Sequence, residues 1–280
     1  MPLVQNNAKR KLAAGGMVLG FGLHHLRSTA APMLAAATGH DYMSMDMEHG
    51  AFTMQEATQL CIAALNLGMT PIVRVCAGAL DEATRLLDNG ALGIVVPHVD
   101  TAKEAQRIAD AFHYPPMGHR SWGGPPAVYG YLPPDVGEAQ KAINDEVLTI
   151  AMIESPEGVK NAGAIAAVDG IDVLLIGSFD LTTELGIPGQ MGHPKLIDAY
   201  AAVGAACRRH GKVLGMGGIK NREDAQRYVG MGARYLGAGN DHSFIMQAAR
   251  ASVEFYRGLK VGDAAATGLG TRKKDGKKKG

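Results

Sequence analysis

Residues 70–98 read TPIVRVCAGALDEATRLLDNGALGIVVPH, and the fold turns on how this stretch is divided. The apolar run TPIVRV (70–75) has the composition of a buried strand, and LDEATRLLDNG (80–90) has a helical pattern. Gly90 supplies the left-handed residue that stops that helix, and a second apolar strand, LGIVVPH, follows at 92–98. Two strands joined through a helix pair in parallel. Working outward, the same alternation fills the chain. Strands are expected at 17–23, 42–47, 147–154, 172–178, 212–218 and 233–239, with helices near 30–38, 54–68, 101–112, 157–168, 194–210, 222–232 and 243–259. That makes eight βα units, which favour an α/β fold of the (β/α)8 TIM-barrel type. An open doubly wound sheet is the competitor, but no GxGxxG turn follows the first strand. The expected domain is a single barrel over 1–260 with a long loop at 113–146. That loop holds six of the thirteen prolines and the sole tryptophan, Trp122, and follows strand 4 on the face where barrel enzymes place their sites.

Composition narrows the class. The 280 residues are 46% hydrophobic and only 5% aromatic, so the core is built from Ala, Val, Ile, Leu and Met. Net charge is +1, but the last nine residues, RKKDGKKKG, hold six Lys/Arg and one Asp. Without them 22 basic residues face 26 acidic ones, so the body is mildly acidic and 261–280 reads as a basic, disordered tail. No basic cluster marks the body for nucleic acid, and no run approaches the ~18 apolar residues of a membrane span. Cys61, Cys76 and Cys207 lack any paired spacing, which suits reduced thiols in the cytoplasm.

The chemistry-bearing residues stand at strand ends. In DYMSMDMEHG (41–50) apolar and polar side chains alternate with the period of a strand. Inside a barrel this directs Ser44, Asp46 and Glu48 to the lumen, with His49 next in the chain. Arg74 interrupts strand 3, and its guanidinium needs an anionic partner such as Glu48 or a substrate oxyanion. Glu154 ends strand 5 and Asp180 follows strand 6. Neighbouring parallel strands lie about 4.8 Å apart, so these carboxylates converge and repel unless a proton or a cation separates them. Oxygen ligands alone suit Mg²⁺ or Mn²⁺. The plainer alternative makes each of them a helix N-cap, since ESPEG and DLTTE both begin turns. His24 and His98 sit on the same face and could touch substrate.

The motifs DMEHG (46–50), PIVRV (71–75), IVVPHVDTAKEAQ (94–106), YPPMGHRS (114–121), IESPEGVKN (153–161) and IGSFDLTTELGIPGQ (176–190) together resemble the HpcH/HpaI aldolases from about residue 17 to 259. The resemblance implies a phosphoenolpyruvate/pyruvate-binding TIM barrel acting as a class II, metal-dependent pyruvate aldolase, with Mg²⁺, Mn²⁺ or Co²⁺ as cofactor. It implies Glu154 and Asp180 as metal ligands, with Glu48 reaching the metal through water. Arg74 would stabilise the enolate, and His49 paired with Asp46 would transfer protons. Backbone at Gly177, Ser178 and Phe179 would receive the pyruvate carboxylate, with an aldehyde as second substrate. A trimeric or hexameric homo-oligomer is also implied. Met152, His98 and the Gly177-Ser178 pair depart from the usual family residues. Two other readings stay open. One is an isomerase or synthase of a phosphorylated substrate, using the glycine-rich turns of 213–240. The other is a non-catalytic metabolite-binding barrel.

Overall fold

The computed structural model describes residues 4–132 and 135–260. Eight parallel strands pair in chain order: β1 (Val18–Leu23), β2 (Tyr42–Asp46), β3 (Thr70–Arg74), β4 (Gly93–Val96), β5 (Leu148–Ile153), β6 (Val173–Gly177), β7 (Val213–Gly217) and β8 (Ala233–Asn240). The last pairs with β1 and closes the barrel that the alternation predicted. The expected crossover helices are present as α2 (Ala30–Ala37), α3 (Met54–Leu65), α4 (Leu80–Asp88), α5 (Ala102–Phe112), α7 (Pro156–Ala166), α9 (Pro194–His210), α10 (Arg222–Gly230) and α11 (Asp241–Arg257).

Three further helices were not foreseen. The first, α1 (Asn7–Ala13), is capped by the Asn6 side chain, which accepts from Lys9 N. Its Ala8 and Leu12 join Val18 and Leu148 in the barrel interior, and the Ala8 amide donates to Thr70 Oγ1, so α1 closes the end where strands begin. The second, α6 (Val136–Glu146), lies within the segment expected to be one long loop. The prolines at its start masked a short helix that Asp135 caps. The third, α8 (Ser178–Glu184), begins where β6 ends.

Strand parity carries through to the mouth of the barrel. Tyr42 lies in the interior cluster and stacks on Tyr235 at 4.6 Å. Asp46, four residues on, therefore shares its face, while Met43 and Met45, both 0% exposed, face the helices. Gly20 makes room for Tyr42: a Cβ there would fall 2.2 Å from the tyrosine Cζ. Gly20→Ala is expected to cost about 1–3 kcal/mol through overpacking. A thermal-unfolding midpoint equal to the wild type would contradict this packing.

The chain forms two compact units, one ending at Ser243 and one beginning at Phe244. The described part of the second is the body of α11 with the three residues after it, where Ile245, Met246, Val253, Phe255, Tyr256 and Leu259 are exposed. The basic tail at 261–280 lies outside the described residues. Among the described residues no helix is long and apolar enough to cross a membrane. All three cysteines are free, with Cys61 and Cys207 buried and Cys76 exposed.

Candidate active site

The site is built where β2 and β3 end side by side. Asp46 and Arg74 are register partners at the last position of each strand. Arg74 donates from Nε to Asp46 Oδ1 at 3.0 Å and from Nη2 to Oδ2 at 2.5 Å, a two-pronged fork. Its Nη1 lies 3.2 Å from Glu48 Oε2 and 4.0 Å from Met152 Sδ. Burial alone would push the Asp46 carboxyl up, but Arg74 and the His49 amide hold it below the usual carboxylate range. Burial likewise opposes the Arg74 charge, and Asp46, Glu48 and Glu154 more than restore it. The two form a fixed ion pair on the lumen wall.

This arrangement corrects the expected His49–Asp46 pairing. The amides of Glu48 and His49 donate to Asp46 Oδ1 at 3.1 and 3.2 Å, so the chain folds over the carboxylate. The His49 ring turns outward instead, with Nε2 3.8 Å from Glu48 Oε2 and a side chain 63% exposed. Strand periodicity ends at Asp46, and the turn beyond it sets the direction of His49. The imidazole beside Asp46 belongs to His24, whose Nδ1 is 3.5 Å from Oδ2. Burial lowers the pKa of His24, the charge of Asp46 notwithstanding.

Glu154 follows β5 directly and is 2% exposed. The N-cap role goes to its neighbour Ser155, which accepts from Gly158 N at 2.9 Å and leaves the Glu154 carboxylate to the lumen. Oε2 accepts from the His98 amide at 3.2 Å, and His98 Nδ1 is 3.6 Å away. To present that amide, His98 adopts φ +52°, a left-handed backbone unusual for a residue with a Cβ. Oε1 is buried with no hydrogen-bond partner. Burial first, then the charge of Asp180, raises the carboxyl pKa to about 7. Asp180 itself is exposed in the first turn of α8, where Gly177 is the cap residue and no side-chain cap forms. A Cβ at Gly177 would sit 2.3 Å from Glu154 Oε1, so glycine keeps that oxygen accessible. A buried, unpartnered carboxylate oxygen with a second carboxylate in electrostatic reach fits a hard divalent cation. Among the described residues no three His, Cys, Asp or Glu side chains are grouped to hold a metal.

The remaining expected residues lie at the β6–α8 junction. Ser178 is buried, its Oγ 2.9 Å from Tyr200 Oη. Phe179 is half exposed and packs over Gly218, where a Cβ would fall 2.8 Å from its ring. The glycine-rich turn after β7 is thus occupied by packing. Sequence reasoning overlooked Asp241 and His242 after β8. Asp241 is 1% exposed, and its Oδ2 accepts the amides of His24, His25 and Leu26 at 3.2, 2.7 and 2.7 Å. The signal was available: GNDHS (239–243) sets an acid and a histidine after a strand, as DMEHG does after β2.

Known proteins resemble this chain over most of its length. The HpcH/HpaI aldolase/citrate lyase family profile matches residues 25–248. A 4-hydroxy-4-methyl-2-oxoglutarate aldolase, cghB, of Chaetomium globosum is 35% identical over 252 residues, 87% of this chain and 92% of the relative. A 2-keto-3-deoxy-L-rhamnonate aldolase of Klebsiella pneumoniae is 32% identical over 249 residues, 88% of this chain and 91% of the relative. The crystal structure of an HpcH/HpaI aldolase from Desulfitobacterium hafniense superposes with a TM-score of 0.85 at 32% identity, covering 90% of this chain and 97% of that one. The chain belongs to the HpcH/HpaI aldolase/citrate lyase family.

Proposed function

We propose that this barrel is a pyruvate aldolase in which Glu154 and Asp180 hold a divalent cation, one of Mg²⁺, Mn²⁺ or Co²⁺, and Arg74 stabilises the pyruvate enolate. The observation that carries the reading is Glu154 Oε1, buried and unpartnered on the same lumen as the Asp46–Arg74 fork. The substrates are 4-hydroxy-2-oxo acids, the class to which the substrate naming the C. globosum relative belongs. In cleavage the 4-hydroxyl proton leaves and the C3–C4 bond breaks. Its electron pair passes to C3 as the enolate of pyruvate, and C4 departs as the carbonyl of the acceptor. A bound divalent cation supplies Lewis-acid polarisation of the 2-oxo group.

The chain's own residues do the rest. Arg74, held in place by Asp46, presents fixed positive charge where the enolate oxygen develops, and a preorganised donor of this kind acts without reorganisation. Backbone at Gly177, Ser178 and Phe179 receives the carboxylate of pyruvate. His49 is the proposed proton-transfer group; Asp46 acts on it through its backbone amide and not as a ring partner. Glu48, 3.2 Å from Arg74 Nη1 and 3.9 Å from His98 Nε2, keeps the guanidinium and the imidazole aimed at the lumen.

The test is enolate formation itself. Chelated protein is incubated with pyruvate in D₂O, with and without each cation, and the methyl protons are followed by NMR. Cation-dependent exchange is expected; no exchange with any cation would sink the reading. Gly177→Ala offers a sharper probe, since its methyl would occupy the space of Glu154 Oε1. This variant is expected to lose cation binding by titration calorimetry, and full affinity would remove Glu154 from the ligand set.

We also read the protein as a homo-oligomer, a trimer or hexamer, in the cytoplasm. The exposed apolar side chains of 245–259 support self-association, and three free thiols suit a reducing compartment. Light scattering on the eluting protein reports the mass directly, and a monomer at micromolar concentration would overturn the first of these.

A further inference from the structure

Three imidazoles outside the proposed machinery meet at the closure of the barrel. His24 and His25 follow β1, and His242 follows β8. Ring centroids of His242 lie 5.3 Å from those of both His24 and His25, and those two are 6.3 Å apart. Asp241 fixes the arrangement. One of its oxygens takes three successive amides of the loop after β1, and the other takes the His242 amide at 2.7 Å. We propose that His24, His25 and His242 form the carboxylate site for the acceptor half of the aldol, so that the preferred acceptor is a 2-oxo acid and not a neutral aldehyde. The inference rests on the aldolase reading and specifies the other half of its substrate.

Topology places the trio where an acceptor must lie. In an eight-strand ring β1 stands opposite β5, which carries Glu154, and β3, which carries Arg74, lies between them. A substrate whose pyruvate half reaches Glu154 and whose enolate oxygen reaches Arg74 extends its C4 end toward β1 and β8. The trio is joined to that centre, because His24 Nδ1 is 3.5 Å from the Asp46 oxygen that Arg74 grips.

Charge supports the same assignment. The two acids beside the trio are already spent: Asp241 on four backbone amides, Asp46 on Arg74 and two amides. What faces an incoming group is N–H donors without a free carboxylate to repel an anion. Each ring offers a donor as imidazole or imidazolium, and a carboxylate has about four acceptor positions to match. At 3.5 and 3.6 Å from Asp46 and Asp241, the Nδ1 atoms of His24 and His242 are not committed to hydrogen bonds. The rings are not grouped to share a metal ion.

The test compares two isosteres on the Mg²⁺-loaded full chain. In 4-hydroxy-2-oxoglutarate C4 bears a carboxylate; in 4-hydroxy-2-oxopentanoate a methyl replaces it. Pyruvate release is followed through lactate dehydrogenase. The wild type is expected to favour the diacid in kcat/KM by roughly tenfold or more, since a polar site left unpaired rejects the analogue. In His25→Gln/His242→Gln that ratio should collapse toward one, chiefly through KM for the diacid, with His25→Gln alone, at an exposed position, shifting it part of the way. A wild-type ratio near one, or a ratio unchanged in the variants, overturns the site. Pyruvate methyl exchange in D₂O is run on the wild type in parallel. If exchange is present and the ratio does not move, only the acceptor site falls; if exchange is absent, the aldolase reading falls and this inference with it.

Discussion

Replacing Arg74 by methionine is expected to lower kcat for cleavage of a 4-hydroxy-2-oxo acid by about 10²–10³-fold, the usual cost of losing one preorganised oxyanion donor. Cation affinity should survive, because Arg74 contacts Asp46 and Glu48 while the proposed ligands are Glu154 and Asp180. The variant should also be less stable. Asp46 is 4% exposed, and removing the fork leaves its carboxylate with the Glu48 and His49 amides and the His24 ring 3.5 Å away. Breaking a buried pair costs on the order of 3–5 kcal/mol, and the remaining amides and partial exposure of Arg74 favour the lower end. Arg74→Lys separates charge from geometry: a point charge restores part of the stability, but not the two-pronged hold on Asp46. Steady-state kinetics and titration calorimetry read the two effects independently. Undiminished kcat in Arg74→Met would remove Arg74 from the chemistry, and lost cation affinity would show that the ligand set has been misdrawn.

The second large effect is a pH-dependent gain in stability on replacing Glu154 by glutamine in the metal-free protein. The folded carboxyl titrates near 7 against an ordinary value of 4.5, because burial and the charge of Asp180 disfavour its ionised form. The folded state therefore holds the proton more tightly than the unfolded chain does. The resulting stabilisation is complete below pH ~4.5 and is lost as pH rises through 7, a change worth roughly 3 kcal/mol. Above pH 7 the metal-free wild type should melt below Glu154→Gln; at pH 5 the difference should shrink or reverse. Adding Mg²⁺ or Mn²⁺ at pH 8 should raise the midpoint of the wild type alone, since only it keeps the ligand. Thermal unfolding of chelated protein between pH 5 and 8.5 checks both statements. A glutamine variant that still binds the cation, or that is less stable than wild type at pH 8, would mean that Glu154 does not carry a buried negative charge awaiting a partner.

Much of the barrel was legible from local pattern. Strand and helix periods are short-range properties, and a glycine such as Gly90, at φ +106°, terminates a helix wherever it stands. Parity in β2 separated Asp46 from the methionines beside it, because alternate side chains of a strand cannot share a face. The helix α6 was missed for an equally local reason, as prolines at its start outweighed a single amphipathic stretch of eleven residues.

The site divides along the same line. Sequence alone determined that acids and an arginine stand at the ends of β2, β3, β5 and β6, because position along a strand is counted residue by residue. Only the tertiary structure decided which groups meet there. Asp46 is gripped by Arg74, and the imidazole beside it is that of His24 and not His49, because the turn after β2 sends the nearer ring outward. The His98 amide reaches Glu154 only through a left-handed backbone that no residue pattern announces. Asp241 clamps a loop some 215 residues earlier in the chain, and nothing in either segment names the other. Periodicity encodes inside and outside for each strand separately; closure of the ring, with β8 against β1, is what brings distant ends to one mouth.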